Sequence, residues 1–276
     1  STAGSTISWA MESFERGVLS KEDCDGLDLG FGNAEAVVKL IPMIAKRQGK
    51  IGNLLAEGSY RASKKVGKDS WKWSLHNSKK MDITAVDLRG TNAYALSFAV
   101  NPRGPDHLLS ETATDLALSE EAAELVEKIT GKKGLADPRI TEGKAQIVRW
   151  HEDIYAASDA IGLCVFYNTA SYVLDETMMA DLFTHATGVE KSASELMLAG
   201  RRIMTLEKCI NIREGADRKL DDLPYRMMNE PAPAGPIKGL MVSKEKLDKM
   251  LDEYYTLNGW DVKTSWPHKK TLVDLG

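Results

Sequence analysis

Two hexapeptides hold the side chains best suited to chemistry. The first is Asp23-Cys24-Asp25-Gly26-Leu27-Asp28, and the second is Asp159-Ala160-Ile161-Gly162-Leu163-Cys164. Both follow the frame Asp-x-x-Gly-Leu-x, ending once in a carboxylate and once in a thiol. The frame describes a tight turn that opens on a carboxylate, with a glycine that takes positive φ or lets a ligand approach the backbone closely. Such a carboxylate accepts hydrogen bonds from amino groups, and charge assistance makes these about twice as strong as neutral ones. For a single copy, a helix N-cap or an Asx-turn is the simplest account. A calcium loop fails. Aligning Gly26 with the turn glycine leaves Lys21 at the first ligand position and Gly32 where a bidentate glutamate belongs. Two copies point instead to a ligand with two similar amino-bearing halves. Cys164 adds a soft donor suited to iron–sulfur or zinc ligation, although a lone cysteine is more often apolar filler.

The elements that must position these turns read as helices. Ile7, Met11, Phe14 and Val18 recur at helical spacing, and Gly17 offers a stop. Asn33 is a good N-cap for a helix over 33–48 whose face carries Val37, Leu40, Ile41 and Ile44 and which Pro42 should kink. A third helix is expected over 51–66. Another spans 142–158, with Ile147, His151, Ile154, Tyr155 and Ser158 on one stripe. Ser192 and Glu195 form a capping-box pattern at the start of a long helix reaching toward Cys209. Leu247, Met250, Leu251 and Tyr254 mark a helix that Gly259 closes. Residues 119–133 read as a solvated amphipathic helix, and 81–87 (MDITAVD) is the best strand candidate. Proline and glycine cluster at 101–107 and 230–239, a domain boundary and a long surface loop respectively. The expectation is a mostly α, multihelical fold of two packed helical domains, 1–103 and 104–276.

With 276 residues, 43% hydrophobic and 28% charged, the chain can bury a large core. A net charge of −4 without a basic stripe gives no footprint for nucleic acid. No apolar run approaches the ~20 residues needed to span a bilayer, and no signal peptide is evident. Three scattered cysteines make no disulfide framework, so a reducing cytoplasm is expected. The chain opens on Ser1 without a methionine, which suggests part of a longer protein.

The paired hexapeptides resemble the pterin-binding motifs of the tungsten-containing aldehyde:ferredoxin oxidoreductase family. The resemblance extends to STAGSTISWAMESFERGVLSKED before the first motif, to DLRGTNAYALSFAVNPRGPDHL (87–108), and to CINIREG (209–215). It continues through DDLPYRMMNEPAPAGPIKG (221–239) and MLDEYYTLNGWD (250–261). It implies two helical domains beside an N-terminal domain, with tungsten, or less readily molybdenum, held by two pterins. Asp23, Gly26, Leu27 and Asp28 would then meet one pterin, and Asp159, Gly162 and Leu163 the other. Cys164 would be one ligand of a four-iron four-sulfur cluster, which takes four cysteine thiolates in the usual case. The family's Cys-x-x-Cys-x-x-x-Cys run, its catalytic glutamate and its Glu-x-x-His iron site are not found here. Both cofactors would therefore require an N-terminal domain or subunit. Leu88 stands where the family commonly has proline. The implied reaction oxidises aldehydes to carboxylic acids with ferredoxin as electron acceptor, and a homodimer is possible. The alternatives are reduction of an aromatic thioester, or a non-catalytic helical fragment or scaffold subunit.

Among the histidines, His107 in RGPDH resembles a position near the family's substrate channel and is a candidate for proton transfer, with Arg103 as partner for an anion or as loop anchor. His185 is the second candidate. His151 on its apolar stripe reads as core, and His268 as solvated. Cys24 reads as small filler.

Overall fold

The helical periodicities fold into twelve α-helices and six short 3-10 turns, with no strand among the described residues. The computed structural model describes residues 2–84, 86–116, 119–167 and 172–276. The first group of helices is α1 (Thr2–Glu15), α2 (Ala34–Ala45), α3 (Gly49–Leu55) and α4 (Gly58–Val66). After a non-helical stretch come α5 (Asn92–Val100), α6 (Glu120–Thr130), α7 (Lys144–Ala160), α8 (Glu176–Thr187) and α9 (Ala193–Arg213). The chain ends with α10 (Tyr225–Asn229), α11 (Lys244–Leu257) and α12 (Lys269–Leu275). No helix is long and apolar enough to cross a membrane among the described residues.

The apolar side chains sort into three clusters. The first joins Ile7, Trp9, Met11, Leu40, Ile51 and Trp73 around α1–α4. The second gathers α5, α7 and α11, with Phe98, Ile147, Met250 and Tyr255 at its heart. The third packs Ile154, Tyr155, Met179 and Leu196 where α7, α8 and α9 meet. Each such fully buried side chain contributes about 1.5–3 kcal/mol.

Helix α7 is pinned from two sides by charge as well as by apolar contact. Its buried Glu152 accepts from the Tyr254 hydroxyl of α11 at 2.8 Å and from Arg201 of α9 at 3.1 Å, while Arg201 also reaches Asp153 at 2.6 Å. At its start, Lys144 donates to Asp115 at 3.0 Å and to the Leu135 carbonyl at 3.1 Å. Removing one member of such a buried set strands a charge, at a cost of about 3–5 kcal/mol. The start and middle of α7, which lead into the second hexapeptide, are therefore held firmly.

Several sequence expectations hold locally. Asn33 caps α2 by accepting from the Ala36 amide, and Pro42 falls inside that helix. Ser192 and Glu195 form the reciprocal capping box. Leu247, Met250, Leu251 and Tyr254 are all buried, and His151 has no exposed surface. Two expectations are corrected. Among the described residues of 81–87 there is no strand: Asp82 pairs with His76 across a single bridge, and no described extended segment lies alongside; Ala85 lies outside the described residues. The helix expected over 51–66 is two helices, broken where Gly58 takes φ +78.

Candidate functional site

The two hexapeptides do not make the same turn. In the second, α7 ends in a Schellman arrangement: the Gly162 amide donates to the Asp159 carbonyl at 3.1 Å and the Leu163 amide to the Ser158 carbonyl at 2.9 Å. Gly162 supplies the left-handed residue at φ +79. In the first, the same pair of bonds forms one frame position earlier: the Asp25 amide donates to Glu22 at 3.2 Å and the Gly26 amide to Lys21 at 2.8 Å. There Asp25 takes φ +51, followed by Gly26 at φ +84. The third residue of the frame decides this. Aspartate tolerates the left-handed region, whereas β-branched Ile161 does not and stays at φ −94.

The first turn rests on Cys24, whose side chain is wholly buried in the α1–α4 core. Burial, with help from the Asp23 and Asp25 carboxylates, pushes its thiol up to about 11, so it packs rather than reacts. Asp23 is exposed. One of its oxygens, Oδ2, accepts from the Ser20 amide at 2.9 Å and the Ser20 hydroxyl at 2.7 Å. Those bonds hold its carboxyl below the usual range. Oδ1 makes no hydrogen bond among the described residues. Asp28 forms an Asx-turn, accepting from the Gly30 amide at 3.2 Å, and its carbonyl accepts from Asn33, the cap of α2. Leu27 is half-buried against the same core.

The second turn places its groups differently. Asp159 occupies the last turn of α7, where no basic residue stands. A carboxylate there faces the negative end of the helix dipole, which disfavours it by about 0.3–1 kcal/mol. It is thus not an N-cap, and helix stability does not account for its presence. Partial burial raises its pKa, against the opposing charge of Arg103. Beyond Gly162 the backbone alternates: Leu163 and Val165 pack on the α7–α8–α9 cluster, while Cys164 is exposed. The apolar neighbours on either side fix the direction of that thiol.

Arg103 is held in a self-tied loop. It pairs with Asp106 at 3.0 Å, its amide donates to Asn101 at 2.9 Å, and Asn101 donates to the Asp106 carbonyl at 2.8 Å. With Pro102, Leu109, Glu207, Ile210 and Asn211 it lines a cavity of about 240 Å3. Glu207 of α9 was not distinguishable in the sequence. Burial raises its pKa despite Arg103, and its buried Oε2 has no hydrogen-bond partner among the described residues. Only helical periodicity bears on Glu207 in the sequence, since its nearness to Arg103 and Asp159 is a product of the tertiary fold.

His107 is half-buried, with Nδ1 3.4 Å from the Thr84 hydroxyl and its ring stacked on Phe98 at 6.4 Å. It is not bonded to Asp106, whose carboxylate serves Arg103 and the Leu108 amide. His185 is exposed near the end of α8 and bonds the Asp181 carbonyl of its own helix at 2.7 Å. Among the described residues, no hydrogen bond or ion pair links the first turn to the second, and no three ligating side chains gather as a metal group.

The chain, over residues 1–276, matches the family described as aldehyde ferredoxin oxidoreductase, domains 2 and 3, and it belongs to that family. A tungsten-containing aldehyde ferredoxin oxidoreductase from Pyrococcus horikoshii is 34% identical, over 99% of this chain and 42% of that protein. A WOR-like subunit of an aliphatic sulfonate oxidoreductase from Pyrococcus furiosus is 29% identical, over 99% of this chain and 39% of that one. The solved BamBC active-site complex of benzoyl coenzyme A reductase shares the fold. Its TM-score is 0.75 at 24% identity, covering 100% of this chain and 43% of that one. The chain thus spans less than half the length of the curated relatives it matches.

Proposed function

We propose that this chain is the cofactor-facing helical part of an enzyme that oxidises aldehydes: RCHO + H2O gives RCOOH with two protons and two electrons. A four-iron four-sulfur cluster, held in part by Cys164, would supply the electron-transfer chemistry toward ferredoxin. A bis-pterin tungsten (or molybdenum) centre supplies the redox chemistry when bound, and the protein supplies orientation and proton handling. Asp23 and Asp28 hold one pterin, and Asp159 and Leu163 the other, on turns shaped by Gly26 and Gly162. Cys164 gives one cluster thiolate. The remaining three thiolates come from an N-terminal domain or subunit. The division into 1–103 and 104–276 assigns one turn to each part, in a cytoplasmic enzyme.

The donor set fits these groups. Asp23 keeps Oδ1 without a partner among the described residues, and Cys164 is an exposed free thiol beside it in role, on the other turn. The observation that carries the reading is Asp159, an aspartate at the unfavourable end of a helix, five residues before that exposed cysteine. His107, braced by Thr84 and Phe98, holds or moves the proton released as water adds and the aldehyde is oxidised. Arg103 and Glu207 set the charge around Asp159. The test is the whole protein, purified without oxygen and analysed for tungsten, iron and aldehyde-dependent ferredoxin reduction. Stoichiometric metal with turnover supports the reading. A metal-free, inactive whole protein sinks it.

A further inference from the structure

A hydrogen-bond chain beneath α4 fixes the tautomer of His76. Burial raises the pKa of Asp82, and in its ionised form it only accepts, so Ser59 donates its hydroxyl proton to that carboxylate. In the 2.6 Å contact between Ser59 and Ser74, the donor must then be Ser74. With that proton engaged, the 2.7 Å contact between Ser74 and His76 Nδ1 needs the imidazole as donor. His76 therefore carries its proton on Nδ1 and presents Nε2 as an acceptor, with no partner among the described residues. Burial, with the Lys64 charge, pushes its pKa down to about 4, so the ring remains neutral near pH 7.

His76 lines a cavity of about 410 Å3, separate from both hexapeptide turns. Three aromatic rings wall it: Tyr60 lies edge-on to His76 at 4.9 Å, and Trp71 edge-on to Tyr225 at 5.0 Å. Asp222 is a second acceptor, oriented by the Ser78 amide at 2.8 Å and hydroxyl at 2.5 Å. The lining cation is Lys64, placed by the Tyr60 hydroxyl at 2.5 Å.

The chemistry of these walls is selective. His76 Nε2 and Asp222 disfavour carboxylates and phosphates, and the opposite charges of Asp222 and Lys64 leave the walls without net charge, which suits a neutral ligand. Lys64 lies over the Tyr60 ring, so Trp71 and Tyr225 supply the aromatic surface for a flat ligand, and stacking on aromatic side chains is worth about 1–3 kcal/mol per base. We propose that this cavity binds a neutral, flat, amino-bearing nitrogen heterocycle of the aminopurine or aminopyrimidine type. Its N–H groups donate to His76 Nε2 and Asp222, and a ring nitrogen or carbonyl accepts from Lys64.

The probe is 2-aminopurine, whose fluorescence is quenched by stacking, titrated into the full-length holoenzyme. The expected result is saturable quenching, weakened at least about 10-fold in His76→Phe, the usual scale for one lost hydrogen bond to a buried acceptor. Unsubstituted purine should compete at least about 10-fold less well than 2-aminopurine. Trp71→Ala, at a side chain 41% exposed, should likewise weaken binding with unchanged circular dichroism. Aldehyde turnover should be unaffected by either variant. Absence of saturable quenching, or equal affinity in folded His76→Phe, overturns the proposal. Should His76→Phe misfold, equal affinity in Trp71→Ala overturns it.

Discussion

The Asp25 carboxylate accepts the backbone amide of Ile51 at 3.0 Å and so ties the first turn to the start of α3. Gln48, at the N-cap position of that helix, makes no capping side-chain hydrogen bond among the described residues, so Asp25 caps it from elsewhere in the chain. Asp25→Ala should lower stability by about 1 kcal/mol for the lost cap, and further because alanine takes φ +51 less readily, while Asp25→Asn, which suits both, should recover most of it. Thermal unfolding of the chain reads this directly. An alanine variant as stable as the parent would show that the bond contributes nothing.

Cys164→Ser, made in the whole protein, should remove or weaken the iron–sulfur cluster and leave the pterins bound, because an alkoxide is a poor partner for soft iron. The measurement is the paramagnetic signal of the reduced cluster beside tungsten content. An unchanged signal would rule out Cys164 as ligand.

Asp159→Asn should lower cofactor occupancy about 10- to 100-fold under chelator challenge, because a charge-assisted bond contributes about 1.5–3 kcal/mol. Asp23→Asn should also lower it, and should in addition disturb the bonds from Ser20 that shape its turn. Full tungsten retention in both variants would refute the pterin assignment.

His107→Ala in the whole enzyme should cut turnover about 100-fold or more without loss of metal, the scale for losing a general acid–base group. His107→Gln should not rescue it, since an amide hydrogen-bonds but does not shuttle protons. Near-normal turnover in either, with cofactor content confirmed, would make His107 a bracing residue against Thr84 and Phe98 and move attention to His185.

Acid should weaken the fold through His151. Burial lowers its pKa to about 4 from an ordinary 6.5, and its ring is fixed by the Ile147 carbonyl and the Tyr172 hydroxyl. Below pH 6.5 the unfolded chain binds the proton that the folded chain refuses, so stability falls as pH drops toward 4. The ceiling is about 3 kcal/mol. Melting curves across that window should be flatter for His151→Gln. An identical slope would assign the acid sensitivity to other groups.

Much of the helical frame was legible because its periodic residues land where burial needs them, as with Leu247, Met250, Leu251 and Tyr254 on α11. The strand reading failed at 81–87 because β-branched residues only suggest a pleat, and pairing needs a partner that the fold does not supply. The hexapeptides were legible as turns but not as two different ones. Their shared frame hid the exchange of Asp25 for Ile161, which moves the left-handed residue by one position. The surroundings of Asp159 were beyond reach, because Arg103 and Glu207 come to it from distant segments that only packing joins.

The position of Asp159 also bears on how this chain would respond to selection. Lysine in the last turn of α7 would suit the helix better, by about 0.3–1 kcal/mol. A screen rewarding heat resistance alone should therefore enrich Asp159→Lys and yield sturdier proteins that bind less cofactor. Thermostable variants of this chain should be sorted by metal content before they are ranked by melting point.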